Sequence, residues 1–174
     1  MKLEKKPNQN TNVIWKPTQK QLEFLKAGAI FEVAYLGGAG SGKSSVLLVD
    51  ACRQMNNPEA KAVIFRRTTK ELQQLIDYSQ QVYRKLGAYY LAQKAVWVFP
   101  SGGKIYFDEI THFEEEMYLY LHTRCRSTNP DLIPRVRCTG TPVGKHIDWV
   151  RRRFIDSGSY KIIKDKETNL SRLY

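Results

Sequence analysis

The 174-residue sequence is poor in cysteine and in histidine, with three of each. Cys52, Cys125 and Cys138 are odd in number and irregularly spaced, with no Cys-x-x-Cys pair and no Cys/His cluster. That pattern excludes a disulfide framework and a zinc site, and reduced, buried thiols are expected. Long apolar runs are missing as well. Stretches such as Ile30 to Leu36 and Val46 to Val49 fall far short of the roughly 20 residues of a membrane-spanning helix, so no membrane role is expected. Lys2, Lys5 and Lys6 are followed by no apolar run that could form the core of a secretory signal, and the expected location is the cytoplasm of the cell that makes the protein. Internal repeats and low-complexity segments are also lacking.

Positive charge, in contrast, is abundant. There are 28 Lys+Arg against 17 Asp+Glu, a formal charge of +11. Residues 1–36 carry 6 basic and 3 acidic side chains, residues 37–123 carry 10 and 9, and residues 124–174 carry 12 and 5. The excess therefore sits in the C-terminal third, where it suits a polyanionic partner, nucleic acid before membrane; a solvated basic surface with no partner is the alternative. An apolar content of 42% is enough for one domain core.

Along the chain, residues 1–14 read as a flexible arm and 15–174 as one domain. Pro17 opens a helix carrying Leu22, Phe24 and Leu25 and stopping at Gly28. Ile30 to Leu36 reads as a strand, Lys43 to about Met55 as a helix, and Lys61 to Phe65 as a second buried strand. Thr68 with Glu71 is a capping-box pair that opens a long helix ended by Gly87, and Thr111 with Glu114 a second such pair opening a helix to about His122. Ala95 to Phe99 and Lys104 to Phe107 flank the hairpin turn Pro100-Ser-Gly-Gly103, Arg135 to Thr139 is a strand, and His146 to Phe154 a short amphipathic helix. The alternation predicts an α/β fold: a mostly parallel sheet flanked by helices, with an antiparallel hairpin added.

The strongest motif is Gly37-Gly38-Ala39-Gly40-Ser41-Gly42-Lys43-Ser44, which fits G-x-x-x-x-G-K-[ST] between a strand and a helix. Glycines let successive backbone N–H groups face phosphate oxygens, and the helix N-terminus adds partial positive charge. In this reading Lys43 bridges the β- and γ-phosphates of ATP, Ser44 is a Mg²⁺ ligand, and Ser45 completes the nucleotide-binding run. Ile105-Tyr106-Phe107-Asp108-Glu109 ends an apolar strand in two carboxylates, at the strand end where open α/β sheets bind ligands. Asp108 would hold the Mg²⁺ shell as a Walker B aspartate, and Glu109 would polarise the attacking water.

Taken in order, Pro17-Thr18-Gln19-Lys20-Gln21, Gly37 to Ser44, Phe65-Arg66-Arg67-Thr68, Phe107 to Phe113, Thr139-Gly140-Thr141-Pro142 and Trp149 to Phe154 resemble the ATPase domain of the large terminase subunit of tailed bacteriophages, a DNA-packaging motor. The resemblance implies a P-loop NTPase of the RecA-like/ASCE type, hydrolysing ATP with Mg²⁺ in the bacterial host cytoplasm to move double-stranded DNA into a procapsid. It also implies a homo-oligomeric ring, a small terminase subunit and a portal protein as partners. It gives Gln21, or second to it Gln19, the role of reading the adenine edge, a surface glutamine being the alternative for each. It makes Thr139, Gly140, Thr141 and Pro142 a segment coupling hydrolysis to movement, where an ordinary Gly-x-Pro turn is the alternative.

Position 39 is alanine where many family members carry arginine, so a charge-stabilising arginine must come from Arg66, Arg67, Arg124, Arg126, Arg135 or Arg137, in this subunit or a neighbour. Hairpin and Walker B demands on Ala95 to Phe107 look incompatible, and a break in the chain near Ile105 and Tyr106 is expected. After Thr139 only Asp148, Asp156, Asp165 and Glu167 are acidic, so no nuclease is expected. Arg151, Arg152 and Arg153 cannot share one helical face; part of the run should be solvated and the rest open to phosphate contact. His112 and His146 are expected to be structural or surface residues, and Tyr89, Tyr90 and Trp97 to pack in core and hairpin. A helicase-like DNA-dependent ATPase and a nucleotide-gated binding module without turnover are the alternatives in function.

Overall fold

The computed structural model describes residues 13–110, 114–141, 147–156, 158, 161–164 and 171–173. Helix α1 (Gln19–Lys26) begins two residues later than Pro17 would start it, because Thr18 is its N-cap: the Thr18 hydroxyl accepts from the Gln21 N–H while the Gln21 side chain accepts from the Thr18 N–H. Strand β1 (Glu32–Leu36) follows, then α2 (Lys43–Ala51), extended to Gln54 by a 3₁₀ turn, and β2 (Lys61–Arg66). Helix α3 (Thr69–Tyr83) is capped by the Thr68 hydroxyl and continues as a 3₁₀ turn (Arg84–Leu86) that stops at Gly87, whose φ is 77°. Strands β3 (Tyr89–Leu91), β4 (Val96–Val98) and β5 (Lys104–Glu109) precede α4 (Glu115–Arg124), β6 (Val136–Gly140), α5 (Ile147–Phe154), β7 (Ile162–Lys164) and β8 (Ser171–Leu173).

The expected single, mostly parallel sheet is instead split into two small mixed sheets, β6-β1-β8-β7 and β2-β5-β4-β3. Parallel pairs join β1 to β6, β1 to β8 and β2 to β5; antiparallel pairs join β3 to β4, β4 to β5 and β7 to β8. The reason lies in β5. Its one edge runs parallel to β2 and its other antiparallel to β4, and both ladders pass without interruption through Ile105 and Tyr106. Hairpin and parallel strand are thus one element with two different neighbours, and the break expected there is not found. With both edges of β5 occupied inside its own sheet, β2 and β6 are each left at the end of a sheet.

Period-two alternation decides what β1 faces. Val33 packs with Phe24 of α1 and Val46 of α2, while Ala34 packs on the opposite side with Tyr118 of α4 and Trp149 and Phe154 of α5. Helices thus cover both faces of that strand, as parallel pairing requires. The larger core lies on one face of the other sheet, where Ile64, Ile105 and Phe107 meet Leu47 and Leu48 of α2 and Leu75 and Ile76 of α3. Trp97 and Tyr83 are fully buried there at a ring separation of 5.5 Å, and Tyr90 stacks at 5.1 Å from Trp97, as expected; Tyr89 is exposed.

Helix α4 corrects a second expectation. Its N-cap is Glu114, with no side-chain cap bond, and Thr111 lies outside the described residues, as do His112, Pro142 and His146. Of the arm expected over residues 1–14, only Val13 and Ile14 are described, and Ile14 packs against the larger core. Among the described residues no helix is long and apolar enough to cross a membrane. Cys52, Cys125 and Cys138 are free thiols.

Candidate functional site

The glycine-rich loop joins the end of β1 to the start of α2. Gly40 (φ 75°) and Gly42 (φ 73°) take the left-handed conformation that lets the chain turn into the helix, and Gly42 is the N-cap. A glycine has no side chain to cap with, and the first turn of α2 holds no acidic residue. The helix therefore presents its orphan N–H groups and partial positive charge with no side-chain cap and no acidic residue in its own first turn to neutralise them, the arrangement an anion fits. Lys43 adds a formal cation. Its Nζ folds back to donate to the carbonyls of Gly37 (2.8 Å) and Gly38 (2.5 Å) and to Ser41 Oγ (3.2 Å). Tyr35 Oη donates to the Ser41 carbonyl at 3.2 Å, and Ser44 is exposed on the first turn of the helix while Ser45 is buried.

Gln21 and Gln19 diverge. Gln19 is a surface side chain directed at Glu23, whereas Gln21 is buried, its Nε2 donating to the Gly42 carbonyl (3.0 Å) and to Ser45 Oγ (3.2 Å). The expected coupling segment also comes to the loop. Thr139 is in register with Tyr35 and Gly140 with Leu36, and the Gly37 N–H donates to the Gly140 carbonyl at 3.1 Å. Thr141 is exposed just beyond.

The two carboxylates stand on a strand of the other sheet. Asp108 is in register with Phe65 and Glu109 with Arg66, at the end of β5 in the other sheet. The Glu109 carboxylate accepts from the Thr69 hydroxyl at 2.5 Å, and the Asp108 carboxylate accepts from the Glu109 N–H at 2.8 Å. Asp108 borders a shallow depression with Val63, Lys94, Ala95 and Tyr106. Among the described residues no hydrogen bond or ion pair links either acid to the loop, and no cluster of His, Cys, Asp and Glu is composed to hold a metal ion.

The arginines sort by environment. Arg137 donates to the carbonyls of Ala27, Gly28, Ile30 and Phe31 and pairs with Asp50 at 3.3 Å, while Arg135 reaches Gly28; both serve the C-terminal end of α1. Burial pushes their guanidinium pKa down, against the opposing pull of Asp50. Arg124 lies over the Tyr120 ring. Arg66 is half-buried, burial lowering its pKa, and Arg67 is exposed; they stand beside Glu109 at the end of β2. The run Arg151-Arg152-Arg153 is partitioned among three acids: Arg151 pairs with Asp156, Arg152 with Glu115 and Arg153 with Glu32. Arg153 is thereby removed from any phosphate contact.

That last pair belongs to a buried polar cluster that sequence reasoning missed. Glu32, 1% exposed, accepts from Arg153 Nε (2.8 Å) and Nη2 (2.9 Å) in a forked contact, and the Tyr118 hydroxyl also donates to it. His122 approaches at 3.7 Å, and Tyr118 touches Cys138 Sγ at 3.0 Å. Burial pushes the Cys138 thiol up to about 12 and the Tyr118 phenol well above its usual value. The available signal was a lone glutamate inside the apolar run Ile30 to Leu36, where only a paired carboxylate is tolerated.

A model of the family described as "Terminase large subunit, T4likevirus-type, N-terminal" matches residues 34–170, most of the chain. No curated protein and no solved structure matches.

Proposed function

Because the chain belongs to this family of T4-like terminase large subunits, which has a role in phage DNA packaging, we propose that it is a P-loop ATPase of the RecA-like/ASCE type whose turnover drives double-stranded DNA into a procapsid. The observation that carries this reading is the uncapped start of α2 with the Lys43 ammonium folded against the Gly37 and Gly38 carbonyls. A triphosphate offers oxygens that outcompete those carbonyls, so Lys43 swings from the loop to the β- and γ-phosphates as the N–H groups of Gly38 to Ser45 take up the remainder.

Mg²⁺, when bound with the nucleotide, would supply charge neutralisation, with Ser44 as its ligand on the loop and Asp108 as its ligand on β5. Glu109 is the group assigned to orient water. Both acid assignments require the end of β5 to reach the loop, and the Thr69 hydroxyl is what Glu109 must release. Arg66 and Arg67, next to Glu109, are the arginines we assign to the developing phosphate charge, with Arg124 and Arg126 as further candidates; Arg135 and Arg137 are committed to α1. Gly140, whose carbonyl accepts from the loop's first residue, and Thr139 beside it would carry the presence of the γ-phosphate into β6. A homo-oligomeric ring, a small terminase subunit and a portal protein complete the proposal.

A second reading, a nucleotide-gated DNA-binding module without turnover, is favoured by one observation, the seating of Glu109 on Thr69 in the other sheet. Phosphate release with and without duplex DNA separates the two. The motor predicts stimulation by DNA; tight binding with no release selects the module. In the motor, Lys43→Ala loses binding and turnover, whereas Glu109→Ala keeps ATP binding and loses turnover. Turnover at the wild-type rate in Glu109→Ala would reject the water-orienting role.

A further inference from the structure

Gln21 is 4% exposed, and its amide oxygen and both amide N–H groups each have a partner in this chain. Chemistry assigns the two ends without ambiguity. The Thr18 N–H, at 2.8 Å, can only donate, so it meets Oε1; the Gly42 carbonyl, at 3.0 Å, can only accept, so it meets Nε2. The second N–H of the amide goes to Ser45 Oγ at 3.2 Å, and Ser45 Oγ in turn donates to the same Gly42 carbonyl at 2.8 Å. Both donors are spent. A base edge read by this side chain would have to break contacts that are already made and buried.

The place these bonds meet is the peptide that matters most to the loop. The Gly42 carbonyl also accepts from the Val46 N–H, the first intrahelical bond of α2. Gly42 sits in the left-handed region with its missing side chain aimed at the amide: a Cβ there would come within 2.3 Å of Gln21 Nε2. Orienting the Gly42 carbonyl fixes the direction in which the following N–H groups, of Lys43 and Ser44, leave the helix end. We infer that Gln21 is a positioning residue, which clamps the Gly42–Ser45 turn from beneath through the capping box of α1 and takes no part in recognising adenine. The inference rests on the nucleotide reading above for its functional consequence, and on geometry alone for the clamp.

Two measurements on Gln21→Ala and Gln21→Glu test it. Gln21→Glu keeps an acceptor for the Thr18 N–H and loses the donors to Gly42 and Ser45, so it perturbs the loop while sparing the α1 cap; thermal melting confirms that each variant is folded. In the ligand-free chain, both variants are expected to speed hydrogen exchange at the Val46 amide and its neighbours in the first turn of α2 by about tenfold, with α3 unchanged. Unaltered exchange there overturns the clamp, whatever the chain binds. In titrations with ATP, GTP and inorganic tripolyphosphate, Gln21→Ala is expected to weaken all three by a common factor of about three to ten, leaving the ATP/GTP ratio as in wild type. Weakening of ATP alone, with tripolyphosphate untouched, overturns the inference in favour of base reading. Failure of the wild-type chain to bind any of the three would instead sink the nucleotide reading, and the exchange result would still decide the clamp.

Discussion

Replacing Arg153 by methionine tests how the buried cluster is held together. Methionine keeps most of the aliphatic stem and removes the guanidinium that donates to both oxygens of Glu32. The Glu32 side chain is 1% exposed and that of Arg153 11%, so water cannot take over the lost contacts. Stranding one partner of such a pair costs about 3–5 kcal/mol, because the remaining charge stays buried. For a chain of this length that corresponds to a fall in melting temperature of roughly 6–20 °C. The internal control is Arg152→Met, whose side chain is 63% exposed and pairs with Glu115 at 3.0 Å; a solvated pair is worth under about 1 kcal/mol. Circular dichroism melts of the two variants give the comparison, and Glu32→Leu combined with Arg153→Met should recover part of the loss by removing the stranded carboxylate. If Arg153→Met melts within about 2 °C of Arg152→Met, the cluster is not what anchors α5 to β1 and the reasoning fails.

Alkali should destabilise the fold through the same chemistry. Burial pushes Cys52 and Cys138 up to about 12 from 9.0, so their contribution to stability is complete below about pH 9 and drains away between pH 9 and 12, where the unfolded chain has released protons that the native state keeps. Urea midpoints should fall steadily above pH 9, at about 1 kcal/mol per pH unit for each thiol, and the Cys52→Ala, Cys138→Ala double variant should flatten the slope; a midpoint independent of pH up to 11 would contradict it. Tyr83→Phe removes a buried donor to the Leu48 carbonyl at 2.9 Å, the one side-chain bond from α3 to the α2 backbone among the described residues. A loss of about 1–2 kcal/mol in urea titration is expected, and an unchanged midpoint would show that the carbonyl finds another donor.

Local signals in the sequence translated well because their causes are local. The Thr68 cap, the glycine stop at Gly87 and the turn between Phe99 and Lys104 each depend on residues within a few positions of one another. The loop from Gly37 to Ser44 was legible for the same reason. Pairing between strands was not, since nothing in Ile105 to Glu109 says whether its neighbours are β2 and β4 or a strand of the other sheet. That choice puts Asp108 and Glu109 in a different sheet from the strand that leads into the loop they were expected to face. Strands β7 and β8 went unread because three-residue segments in a basic, polar stretch carry no alternation long enough to count. Spacing along the chain could assign the arginines at 151–153 to different faces, but not foresee that each face already holds its own acid.

The bond from the Gly37 amide to the Gly140 carbonyl has a mechanical meaning. Five registered pairs, Glu32 with Val136 through Leu36 with Gly140, lead up to it. A ladder of this kind does not slip by fractions: side chains return to their own face only after two residues, about 6.6 Å, so an intermediate slide forfeits every rung at once. Small thrusts along the strand after residue 135 are therefore passed on rigidly, without slack, to the mouth of the loop. The tip of the loop, where a side chain at Gly38 or Gly40 would meet no other described residue, is the first place where such a push can turn into movement.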